Sequence, residues 1–253
     1  MTATAGAKQR LQAGRAAARA GRHEEALREF AWFHDHALDD TPSLYGVRLS
    51  FALHDWVRLG EAYPPARQAL DAVRARKAQA LLDGAADFSL FHDVASIDEM
   101  LGMPQATGTL YAALAERAPA FARAVAGVAL PLLVQAGDYV LADRMRPEPA
   151  QALREHANLL ARHLRWARRQ PYAPMPLRWS FIEGHAALVR MHVAITAAVG
   201  GPAAAGRLAA QAIAAIPDPL LRATVREQIA RPSGARVYRK RRRGWSPPRR
   251  VEC

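Results

Sequence analysis

Cysteine is almost missing from this chain of 253 residues: Cys253, at the last position, is the only one. That excludes an internal disulfide and any zinc site built on cysteine pairs, and it fits a reducing compartment. Nor is Cys253 fourth from the end, as a prenylation box would require. Aromatic residues make up only 7%, too few for the aromatic and β-branched enrichment of a sheet protein. The start, MTATAGAKQR, lacks the basic-then-apolar pattern of a secretory signal. The longest apolar run, Ala124 to Val134, contains Pro131 and is about half the ~20 residues of a spanning helix. A soluble, cytoplasmic protein with no membrane partner is the expectation. The phosphate loop GxxxxGK[ST] and the HExxH zinc motif are also missing.

What is present is alanine and charge. The chain is 51% hydrophobic and 23% charged, an ordinary globular balance long enough for one large domain or two small ones. The abundance of alanine favours close packing of helices. Arginine outnumbers lysine 32 to 3, which suggests a GC-rich bacterial source. The net charge is +12, but Arg231 to Cys253 alone contribute +8, leaving +4 for residues 1–230. The body is therefore only mildly basic, and its charge by itself does not point to nucleic acid.

The stretch Gly21 to Ala37 shows the local rule most clearly. Ala26, Phe30, Phe33 and Ala37 are spaced by four, three and four, which places them on one helical face. Ala7 to Ala20 supplies a second helix, and the pair predicts a hairpin turning at Gly21. Gly60, Gly102, Gly137 and Gly200 recur as separators, with Pro119 and Pro217 each seventeen residues beyond Gly102 and Gly200. This predicts about five helical hairpins. In the second, Thr41 and Pro42 start a helix to about Leu59, Gly60 makes the turn, and Pro64 starts the partner, which ends at Asp83-Gly84. The third runs from Asp87 to Arg117, and the second helix of the fourth is cut short at Pro147 and Pro149. A helix from about Ala150 to Arg169 has Leu153, Leu160, Leu164 and Ala167 inward and arginines outward. The expected boundaries are a repeat region at 1–169, a Pro-rich linker at 170–177, a terminal hairpin with a capping helix at 178–230, and a disordered basic tail at 231–253.

These residues resemble the tetratricopeptide repeat, a two-helix unit of about 34 residues. Gly14, Gly21, Ala26 and Phe30 match its pattern in the first unit, Gly102, Tyr111 and Pro119 in the third, and Gly200, Ala205, Ala212 and Pro217 in the fifth. The resemblance implies an all-α superhelix, a tetratricopeptide-like solenoid, whose first helices line a concave groove for a peptide or protein surface. It implies no catalysis. Carried onto this chain, the groove takes Lys8, Arg15 and Arg19, then Ser50, His54 and Arg58, then His92, Ser96 and Glu99. Leu11 and Arg15 stand where a carboxylate-clamping member would place lysine and asparagine, so that ligand is not inferred.

Candidate chemistry is sparse. FHD occurs at Phe33 to Asp35 and at Phe91 to Asp93, and His54-Asp55 adds a third His-Asp pair. His34 and His36 point to different sides of a helix, so these pairs read as surface or capping groups rather than as a metal or acid-base site. His156 and His163, like His185 and His192, are seven apart, about 10.5 Å along a helix and too far for one metal. No cofactor, metal or catalytic residue is expected. Most aromatics, including Phe51, Trp166 and Trp179, read as core, whereas Trp32 lies off the main stripe and reads as packing on the neighbouring hairpin. In the tail, Arg239, Lys240, Arg241, Arg242 and Arg243 lie between Tyr238 and Trp245, an alternative site for nucleic acid or an acidic partner. The leading expectation is a non-enzymatic protein-interaction module.

Overall fold

The computed structural model of the chain describes residues 6–169 and 175–230. All regular elements among them are helical. The chain divides into two compact units, 1–146 and 147–253. The boundary falls before Pro147 and not in the Pro-rich stretch, because the helix after Pro147 packs on the one that follows that stretch.

In the first unit, α1 (Ala7–Arg19) and α2 (His23–Asp40) form the expected hairpin. Gly21 adopts φ 73°, a left-handed conformation that costs glycine nothing, and the Arg22 amide then reaches back to the Ala17 carbonyl at 2.9 Å. Ala26, Phe30, Phe33 and Ala37 are all buried. A Cβ on Gly14 would sit 2.8 Å from the Phe30 ring, so glycine there is what lets α1 approach α2. Trp32 lies under the Arg10 guanidinium of the same hairpin at 4.2 Å and packs against a core shared by the first two hairpins.

The second hairpin departs from expectation. Its first helix is entered through a 3-10 turn (Pro42–Leu44) and α3 (Tyr45–Val47), widens into a π-helical segment at Arg48–Ala52, and continues as α4 (Leu53–Ala62). Gly60 is therefore helical and the chain turns at Tyr63. The glycine serves close packing instead, since a Cβ there would lie 3.1–3.2 Å from Arg67 at the start of α5 (Pro64–Leu82). Phe51, expected in the core, is 63% exposed, because it lies half a turn from the buried stripe of Leu49, Ala52, Leu53 and Trp56.

Then follow α6 (Phe88–Met100), α7 (Pro104–Arg117), α8 (Pro119–Ala136) and the short α9 (Tyr139–Met145). Asp87 caps α6 by accepting from the Ser89 amide at 2.7 Å. The Tyr111 hydroxyl of α7 donates to the Ala122 carbonyl of α8 at 2.9 Å. Pro131 lies exposed inside α8 and does not end it.

The second unit holds α10 (Pro149–Arg169), α11 (Met175–Ala214) and α12 (Pro219–Ala230). A break inside α11 falls at Gly201 (φ 80°, ψ 170°), one residue after the expected turn at Gly200. Leu153 and Leu164 of α10 are buried as expected. Trp166 and Trp179, expected in the core, are 51% and 43% exposed; Trp166 lies on the side of α10 opposite that stripe. Of the Pro-rich stretch, residues 170–174 lie outside the described residues, and Met175 to Leu177 already belong to α11. The expected disordered tail, 231–253, also lies outside them. Helices Pro119–Ala136 and Leu177–Ala214 are each long and apolar enough to cross a bilayer by length and composition, contrary to the reading of Ala124 to Val134 as too short. The residues of α8 that face inward are nonetheless packed in the core of the unit.

Candidate functional site

The residues assigned to a groove lie on the first helix of each of the first three hairpins: α1, the segment from Arg48 through α4, and α6. Two contacts join these helices sideways. Arg15 of α1 pairs with Asp55 of α4 at 2.6 Å, and the Tyr45 hydroxyl lies 2.8 Å from His92 Nδ1 of α6. Burial, opposed by the Asp93 charge and aided by that of Arg48, holds the His92 pKa below the usual histidine value; the direction of its hydrogen bond with the phenol follows the tautomer.

These contacts occupy part of the expected set. Arg15 and His92 are used between helices, and the Ser50 hydroxyl donates to the Gly46 carbonyl at 2.6 Å. Ser96 is buried and is thereby removed from any partner's reach. Lys8, Arg19, Arg58 and Glu99 are exposed, and His54 is half-buried. Two aromatic side chains stand on the same faces and were not expected there: Phe51, seven residues from Arg58, and Phe88, 49% exposed, eleven residues from Glu99. Phe88 packs edge-on against His92 at 5.6 Å. The sequence signal was available, since Phe51 is off the Leu49–Trp56 stripe.

Below this face lies a buried ionic cluster. Asp93 of α6 accepts from Arg48 at 2.5 and 3.1 Å and from Lys77 of α5. Arg48 also donates to the His34 carbonyl at 3.2 Å. Burial raises the Asp93 pKa, but the hydrogen bonds from Arg48 and Lys77 outweigh it and hold the carboxyl below its usual range. His34 Nε2 is 3.9 Å from Asp93. Burial, reinforced by the Lys77 charge, pushes His34 down to about 3, so the imidazole is neutral near pH 7 and this is not an ion pair. The two FHD motifs thus meet through the His of the first and the Asp of the second, a convergence that sequence spacing did not reveal. One helical turn on, Asp98 of α6 accepts from Arg74 at 2.8 Å and from Thr107 at 2.7 Å. Both carboxylates are filled by internal donors, so the cluster clasps α2, α5, α6 and α7 rather than offering a base to a substrate.

The second unit contains one further convergence. His156 of α10 and His185 of α11 approach through their Nδ1 atoms at 2.9 Å, with ring centroids 5.2 Å apart and planes 14° from parallel. The centroid separation is the nitrogen–nitrogen distance plus one ring radius on each side, so the rings meet edge to edge and are not stacked. His185 Nε2 is buried without a partner. One proton lies between the two Nδ1 atoms, and the ring that carries it is set by the tautomer. No group of three or more His, Cys, Asp or Glu placed to hold a metal occurs among the described residues. The tail residues Arg239 to Arg243 lie outside them. Neither a family model, nor a curated protein, nor a solved structure matches this chain.

Proposed function

We propose that the first unit is a non-enzymatic docking module of the tetratricopeptide-like solenoid type, in which the first helices of successive hairpins line a concave face for a peptide or protein surface. The reading places the protein in the cytoplasm and needs no metal or cofactor. The observation that supports it is the sideways tie between these helices, through Arg15–Asp55 and Tyr45–His92, beside two solvent-facing aromatics, Phe51 and Phe88. Exposed aromatics on a rigid face are the residues that anchor partners, and the flanking Lys8, Arg19, Arg58 and Glu99 supply a polar rim.

The test starts with a photo-crosslinking side chain placed at Phe51 or Phe88 of the full chain in cells. The captured partner is then purified and its affinity measured directly. Phe51→Ser with Phe88→Ser should weaken binding at least about tenfold, the loss of two modest anchors, with helical content unchanged. Binding that survives both changes, or that disappears when Arg239 to Arg243 are neutralised, would remove the groove reading in favour of the tail.

A further inference from the structure

The two units differ in charge. Residues 1–146 carry sixteen Lys or Arg against seventeen Asp or Glu, whereas residues 147–230 carry ten against five. Half of those ten are on one helix. Arg154, Arg162, Arg165, Arg168 and Arg169 are all exposed on α10, Arg162 and Arg169 opposite Leu153, Leu160 and Leu164 and the other three along one flank of the helix. None of the five has an ion-pair or hydrogen-bond partner among the described residues. The sole acid on the helix, Glu155, accepts from Gln151 at 2.9 Å. Trp166, 51% exposed, stands at the edge of this stripe. The ring contact of His163 with Phe181 at 4.8 Å sets the start of α11 beside the C-terminal half of α10, where Trp179 is also exposed.

We infer that the arginine face of α10, with Trp166, binds single-stranded nucleic acid, a site separate from the groove and from the tail. From Arg154 to Arg169 the stripe is about 22 Å long, enough to follow several phosphates of one strand. Guanidinium groups grip phosphate oxygens in pairs and stay charged at any physiological pH. A tryptophan among them offers a ring on which an unpaired base stacks, which a duplex does not supply. A membrane surface fits less well. A helix lying in a bilayer interface needs its apolar face free, and that face of α10 is packed in the core.

The experiment uses the full chain with all nine Lys and Arg residues of 231–253 (Arg239, Lys240, Arg241, Arg242 and Arg243 among them) each changed to Gln, so that the tail does not mask α10. Binding of fluorescein-labelled oligothymidylate is followed by anisotropy between about 50 and 200 mM salt. Arg162→Gln, Arg165→Gln and Arg169→Gln together should weaken binding at least about tenfold and reduce the slope of log K against log salt by about 2. The corresponding three Arg→Lys changes should keep the slope. Trp166→Ala should weaken binding about fivefold or more with the slope unchanged. All substituted side chains are exposed, and thermal unfolding checks that each variant folds. The inference is overturned if the tail-neutralised chain fails to bind, if binding ignores the α10 changes, or if duplex DNA, polyglutamate or phosphatidylserine vesicles compete as well as the oligonucleotide.

Discussion

Asp93 is the buried acceptor that Arg48 and Lys77 share. Removing it leaves Arg48 and Lys77 without compensation in a water-poor setting, and breaking a buried pair in this way costs about 3 to 5 kcal/mol. Asp93→Ala should therefore lose that much in urea unfolding, and a loss below about 1 kcal/mol would show that water reaches the cluster. The histidines give a second outcome at this scale. His34 and His185 are pushed down to about 3 and about 4, both mainly by burial, and His156 is lowered too. An unfolded histidine takes up its proton near 6.5, so below that pH the unfolded chain binds more protons than the folded one. Stability is full above about 6.5 and falls as the pH drops towards 4, on the order of 1.4 kcal/mol per pH unit for each fully buried imidazole. His34→Gln and His185→Gln should each flatten that slope in melts recorded across this range. No slope in the parent protein would mean that the rings take up protons while folded. Asp93, with its pKa lowered, adds a further loss only below its ordinary range near 3.8.

At the scale of the element, glycine has two separable uses here. Gly14 in α1 lies against Phe30, and an added methyl would meet the ring at 2.8 Å. Gly14→Ala should destabilise by about 1 to 3 kcal/mol through overpacking. Gly206, exposed in the second half of α11, has nothing within 4 Å of an added Cβ, so Gly206→Ala should stabilise by about 0.5 to 1 kcal/mol. Chemical denaturation of the two variants reads both signs, and two changes of the same sign would break the argument. The first hairpin was legible because its core spacing, turn glycine and close-approach glycine all specify one geometry. The second was legible only in outline. Its widened turn at Arg48–Ala52 follows the burial of Arg48 against Asp93, whose partners come from residues 45 positions apart, a distance that no local pattern reports.

For the whole molecule, the sequence places the main break in the proline-rich stretch because composition changes there. The structure places it before Pro147, because the apolar stripe of α10 is covered by α11 and α12, with Leu160, Leu164, Ile216 and Val225 in one cluster. A fragment of residues 1–146 should therefore unfold cooperatively with high helical content. A fragment of residues 1–169 should carry an uncovered stripe and aggregate or bind a hydrophobic dye. If the longer fragment behaved better in sedimentation and dye binding, α10 would belong with the first unit. The same division separates a nearly neutral unit from one in which half of the Lys and Arg among residues 147–230 lie on a single helix, which is why the overall charge balance concealed the α10 stripe.

The sequence by itself determined that the chain is helical, where most helices begin and end, and which aliphatic stripes face inward, because capping, turn chemistry and periodicity act over a few residues. Tertiary structure alone decided which buried charges meet, which histidines share a proton, and which candidate groove residues remain open to solvent. Those outcomes depend on side chains brought together from distant segments, where desolvation makes each partner's presence or absence count for several kcal/mol.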